Sequence, residues 1–228
     1  MKSFIRNLSA PTEFLLVVLV CFGWGILGSM RQFVGHLTHT AQPEHLTNAV
    51  ALRIFVMQLL VLAFVFWIGR IRGWPLASLG TRISWKDTAA GVLLYIITVA
   101  AWICCIVLTN IIAPGLRSSG EAGVKFGGLG LPLALLLCLV NPIYEEVIGT
   151  GYFILTLKRY GMWPAVLASA LFRTFLHSYR GIDAIVLVLP MGLIFGFVYW
   201  RWRQLWPLVV AHILIDLWVI YDLMHAAS

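Results

Sequence analysis

Six side chains could do chemistry in places where Leu or Val would serve for packing alone: Glu145, Glu146, Arg173, His177, His212 and Asp216. Each sits within or at the end of an apolar run, where a charged group costs at least ~2.5–3.5 kcal/mol on insertion into a bilayer. Their spacing has helical meaning. Arg173 and His177 are four apart, as are His212 and Asp216, so each pair shares one helix face. Glu145 and Glu146 are adjacent, so only one can point fully at a given centre while the other turns about 100° towards a neighbouring helix. A Glu with two His is the ligand set of many catalytic zinc sites, and Glu145, His177 and His212 would supply it. The same groups suit a metal-free design, in which a carboxylate activates water and imidazoles stabilise an oxyanion. A purely structural reading competes with both: Arg173 pairs with a glutamate to hold two helices together, and His212 and Asp216 form an interhelical clamp. The gathering of all six on three helices favours a shared site, because their joint insertion cost is high.

The elements that must position these groups are membrane spans. Hydrophobic residues make up 61% of the 228 and charged residues only 11%, too little polar surface to cover a soluble domain. Disorder, collagen and coiled coil are excluded by the same composition. An all-α, polytopic transmembrane helical bundle is expected, a single integral membrane domain over 1–228 with six to eight spans, at ~20 residues per span. Seven runs fit: 14–30, 49–68, 88–112, 131–157, 164–177, 184–200 and 207–223. Gly23, Gly25 and Gly28 are expected close-packing points on the first. Ser84 and Asp87 resemble a capping box opening the third, and Pro142 is expected to kink the fourth. The segment 31–48, with His36, His39 and His45, reads as a polar loop, and the Gly-rich 115–130 as another. Those histidines and His225 read as solvated. Cys21, Cys104, Cys105 and Cys138 read as small buried apolar residues without metal spacing.

The net charge of +7 belongs to membrane topology rather than to nucleic acid. With a cytoplasmic N-terminus, Lys2, Arg6, Arg70, Arg72, Arg82, Lys86, Lys158, Arg159, Arg201 and Arg203 fall on the cytoplasmic side. Only Arg31, Arg117, Lys125 and Arg180 fall on the other. That bias supports the orientation.

The run Glu145-Glu146-Val-Ile-Gly-Thr-Gly151-Tyr resembles the Glu-Glu-x-x-x-Arg-Gly motif of the CPBP intramembrane proteases. These are the CAAX prenyl-protease and bacteriocin-processing group, also called Abi proteins, which includes the Ras-converting enzyme. His177 is similar to the histidine of the second family motif, and His212-Ile-Leu-Ile-Asp216 to the final His-x-x-x-Asn/Asp motif. The resemblance covers about 120–223, and its specificity lies in the order of the motifs on successive spans. Two positions depart from the pattern. The family arginine after the glutamate pair is Thr150, and the phenylalanine four before the histidine is Arg173, with Phe172 displaced by one. Where the two helices pack, Arg173 is expected to fill the space of the family arginine and hold Glu146.

The resemblance implies an intramembrane endopeptidase with a membrane-embedded site. Glu145 would be the general base that activates water, and Glu146 would orient the site through Arg173. His177 and His212 would ligate a metal or stabilise the tetrahedral oxyanion, with Asp216 assisting. Zinc on Glu145, His177 and His212 and a metal-free glutamate mechanism both stay open. The expected partners are a peptide or membrane-protein substrate and the lipid bilayer, with no nucleic acid, in a bacterial inner membrane. Two other functions compete: a catalytically silent scaffold or immunity protein of the same fold, and a proton-coupled transporter. Against transport stand a single polar cluster and the lack of an inverted repeat.

Overall fold

The computed structural model describes residues 5, 7–38, 40, 44–74, 79–116 and 124–225. Among them the chain is almost wholly helical. Helix α1 is Ala10–Leu37, α2 Asn48–Arg72, α3 Trp85–Ile112 and α4 Leu131–Glu145. A π-helical turn, Glu146–Tyr152, continues α4 into the short α5, Phe153–Leu157. Then come α6 Met162–Leu176, a second π turn Ala184–Val188 leading into α7 Leu189–Trp202, and α8 Trp206–His225. Among the described residues, five stretches are long and apolar enough to cross a membrane: Ala10–Gly35, Asn48–Arg72, Trp85–Ile112, Leu131–Tyr160 and Ala184–Trp202. Met162–Leu176 is apolar but shorter. The outer faces carry a lipid-type surface, with Trp24, Leu60, Ile97, Ile111 and Leu171 all exposed.

The ends of the helices follow local chemistry. Ser84 accepts from the Asp87 backbone N–H at 3.1 Å and caps α3 as expected, but the Asp87 carboxylate takes the Ser84 hydroxyl rather than the Ser84 backbone N–H of a full capping box. Thr47 caps α2 in the same way, accepting from Val50, and Gly73 closes it at a left-handed φ of 68°. Helix α1 outruns its apolar core at both ends, because a helix satisfies its own backbone regardless of which side chains it carries.

Of the segment expected as a loop at 31–48, residues 31–37 instead extend α1, and the remainder, like the loop at 115–130, contributes a strand. β1, Glu44–Leu46, pairs in parallel with β2, Val124–Phe126, tying the α1–α2 connection to the α3–α4 connection. Asn48 extends the tie by accepting from the Gly130 N–H at 2.7 Å. His45 and His225 are exposed as expected. Lys2, Arg6, His39 and Arg117 lie outside the described residues, as do the side chains of His36 and Lys125.

Helix α3 lies along α8, α6 along α7, and α2 along α4. The first-span glycines do not make the close contacts expected of them. A Cβ at Gly23 or Gly28 would meet nothing within 4 Å, and one at Gly25 would meet only Leu176, at 3.8 Å. The close approaches occur elsewhere. A Cβ on Gly192 would come within 2.9 Å of the Ala170 Cα, and one on Gly91 within 2.6 Å of the Val210 Cβ. Small residues thus let α6 meet α7, and α3 meet α8, at backbone distance. Cys21 and Cys138 are buried, but Cys104 is exposed on the outer face of α3, where a bilayer makes apolar exposure free. Replacing Gly192 by Val should overpack the α6–α7 contact by about 1–3 kcal/mol. Thermal unfolding in detergent should show a lowered midpoint, while Gly28→Ala on α1 should leave the midpoint in place.

Candidate active site

Pro142 denies the Cys138 carbonyl its helical donor, and four residues later the chain widens into the π turn rather than simply kinking. Every residue of Glu146–Tyr152 is buried. The turn frees the Gly149 carbonyl, which accepts from the Ser169 hydroxyl of α6 at 2.5 Å. Its first residue, Glu146, is wholly inaccessible and faces three partners. Arg173 Nη2 lies 2.8 Å from Oε1, His212 Nδ1 donates to the same oxygen at 2.7 Å, and Thr150 Oγ1 donates to Oε2 at 2.8 Å. Arg173 Nη2 also donates to Thr150 Oγ1 at 3.1 Å. The guanidinium therefore touches the residue that stands where the family pattern has its arginine.

Glu145, one residue earlier, is different. Its side chain keeps 17% of its exposure, and its nearest cation is Arg173 Nη1 at 3.9 Å. His177, His212 and Arg173 all lie within electrostatic reach of it. His177 closes α6 and donates from Nδ1 to the Arg173 carbonyl at 2.9 Å, which leaves Nε2 for other partners. Helix α1 holds this turn: Ser29 donates to the Leu176 carbonyl, and Ser178 donates to the Ser29 carbonyl at 3.3 Å. On α8, His212 Nε2 faces Asp216 Oδ1 at 3.6 Å. All six residues singled out in the sequence therefore belong to one neighbourhood.

Two amides complete it and were not among the expected site residues. Asn141 Nδ2 donates to Asp216 Oδ2 at 3.1 Å, and Gln58 Nε2 donates to Asn141 Oδ1 at 2.6 Å. The polar chain thus runs Gln58, Asn141, Asp216, His212, Glu146, Arg173, across four helices. A signal for Asn141 was present, since it lies one turn before Glu145 on the same helix. Gln58 had only its depth in an apolar run to mark it. A second buried carboxylate, Glu13, is held by Arg72 Nε at 2.5 Å, with the Tyr152 hydroxyl at 3.4 Å. Beside it lies a cavity of about 190 Å³ whose walls include Trp74, Leu79, Val147 and Tyr152. Glu145, His177 and His212 do not line that cavity.

The zinc arrangement does not fit as placed. Among the described residues no three His, Cys, Asp or Glu side chains are set to ligate one ion. His212 turns its two nitrogens to Glu146 and Asp216, and His177 commits Nδ1 to a backbone carbonyl.

Fold and site together define a polytopic helical membrane protein with a buried carboxylate–imidazole–guanidinium cluster. Residues 127–218 match the family model Rce1-like, described as type II CAAX prenyl endopeptidase Rce1-like. The match over 127–218 is to a CAAX-protease, or CPBP, type of family, and it indicates a protease of the intramembrane kind. No curated protein and no solved structure matches the chain.

The contact between Arg173 and Thr150 makes a reciprocal swap testable. Arg173→Phe leaves Glu146 short of its cation and should cost about 3–5 kcal/mol, read as lost folding yield and thermal midpoint in detergent. Adding Thr150→Arg returns the charge from the π turn and should recover most of the loss. Thr150→Arg alone should destabilise, because it buries a second cation. A double variant no more stable than Arg173→Phe would rule out spatial equivalence of the two positions.

Proposed function

We propose that the protein is an intramembrane endopeptidase in which Glu145 activates water for attack on a peptide carbonyl of a membrane-bound substrate. One observation carries this reading: of two adjacent glutamates, Glu146 is fully buried and engaged by Arg173, His212 and Thr150, whereas Glu145 alone keeps an exposed edge. The first is a fixed counter-ion that orients the cluster, and the second is free to exchange a proton with a reacting molecule.

Glu145 takes a proton from water as the oxygen adds to the carbonyl, and later gives it to the leaving amine. His177, with Nδ1 anchored, presents Nε2 towards the reacting groups, and His212 adds its dipole beside Glu145. Asp216 holds His212, and Asn141 with Gln58 holds Asp216. The charge bias of the loops supports a cytoplasmic N-terminus.

Glu145→Gln keeps the shape but not the base, and should lower peptide hydrolysis by at least ~10²-fold with the thermal midpoint retained. His177→Ala and His212→Ala should also lose activity by a similar factor. Glu146→Gln should lose less activity and more stability. A cleavage assay on a membrane-anchored peptide, run beside thermal unfolding, separates the two columns. Mild and equal losses at all four positions would favour the silent-scaffold alternative.

A further inference from the structure

Arg173 commits only one of its two terminal nitrogens to Glu146 and Thr150. Nη2 makes both contacts. Nη1 is buried, lies 3.9 Å from Glu145 Oε2, and has no hydrogen-bond partner among the described residues. That separation is too long for a direct hydrogen bond. It suits a single oxygen atom bonded to both sides at roughly 2.8 Å, the length of a charge-assisted bond. The chemistry of the two flanks identifies that atom. A guanidinium only donates and an ionised carboxylate only accepts. The bridging group must accept from Nη1 and donate to Oε2, which a water does and which a carbonyl oxygen or a metal cation cannot do.

We propose that Arg173 is a catalytic residue of this site, its Nη1 holding the attacking water against Glu145 and stabilising the charge that grows on that oxygen. The proposal rests on the reading of Glu145 as the base. As Glu145 Oε2 removes one proton, the water oxygen forms its bond to the carbonyl carbon and the C=O electron pair moves to the carbonyl oxygen. The C–N bond then breaks, its electron pair stays on nitrogen, and Glu145 returns the proton there. One water is consumed and no redox partner is needed. The arginine is well fixed for this task. Its guanidinium lies 5.8 Å from the Phe195 ring centre, and its backbone carbonyl accepts from His177. One residue thus positions the water and the imidazole beside it.

A cycle built on Glu146→Gln separates this role from charge neutralisation. In that background the carboxylate that Nη2 neutralises is gone, and Arg173→Gln leaves amides at 146 and 173 beside Thr150. If Arg173 served only Glu146, adding Arg173→Gln would change little. The expected result is a further fall in kcat of about 10²-fold, with KM within about threefold and the thermal midpoint retained. A kcat equal to that of Glu146→Gln alone overturns the proposal. Arg173→Lys in the wild-type background carries the test if the double variant does not fold or Glu146→Gln is itself inactive. It keeps the charge but not the second nitrogen, and should fold yet lose kcat by about 10²-fold; full activity would overturn the proposal. Glu145→Gln is measured alongside. Activity in Glu145→Gln would remove the base reading itself, whereas an inactive Glu145→Gln beside active Arg173 variants would remove only the arginine's role.

Discussion

A carboxylate with no accessible surface, in the middle of a helical bundle, sets the terms for everything around it. Glu146 can be buried only if charge and hydrogen bonds come to it from every side, since an uncompensated ion in an apolar interior costs several kcal/mol. Arg173 of α6, His212 of α8 and Thr150 of its own π turn do this together. Their placement dictates how the helices meet. Helix α6 must present Arg173 to the π turn, α8 must present His212, and α4 must widen so that Glu146 and Thr150 share one face. The polar chain then continues outward through Asp216 and Asn141 to Gln58.

Saturation and exposure are divided between neighbours in sequence. A saturated Glu146 is a poor proton carrier and a good anchor, because every one of its contacts would be lost on moving. Glu145 inherits the field of that anchor without its constraints. The widened turn makes the division geometrically available, since π turns offset the helix and redirect adjacent side chains. Packing supports it from behind: Ser169 satisfies the carbonyl at Gly149, and Gly192 brings α7 against the α6 backbone that carries Arg173.

Much of this was legible because the bilayer penalises polar residues so strongly. The seven apolar runs, the Ser84–Asp87 cap and the six polar side chains follow from that penalty and from helical spacing. The pairing of Arg173 with Glu146 followed from the displaced arginine of the family pattern. Other features left no readable mark. A π turn has no sequence signature distinct from an α-helix, so Glu146–Tyr152 read as ordinary helix. Gln58 and Asn141 are neutral amides, cheap enough in a span to pass among packing residues; Asn141 is marked only by lying one turn before Glu145, and the bonds from Gln58 to Asn141 and from Asn141 to Asp216 show their use. The Gly23, Gly25 and Gly28 series looked like a packing stripe, yet helix contact depends on what faces the glycine. Parallel pairing of Glu44–Leu46 with Val124–Phe126 joins segments far apart in sequence, and three-residue strands carry too little pattern to announce it.

The length of α6 has a consequence for the surrounding lipid. Fifteen residues rise about 22 Å, short of the ~30 Å hydrocarbon slab. Its outward stripe of Trp163, Leu167, Leu171 and Phe175 is exposed along that whole height, and the stripe stops where the His177 turn begins. Lipids flanking α6 must therefore thin, or headgroups and their hydration must dip towards the turn, at a fraction of a kcal/mol per ångström of mismatch. Either response brings the polar boundary of the membrane down to the residues that would handle water. The acyl-chain length of the host membrane thus becomes a thermodynamic variable of the polar cluster itself.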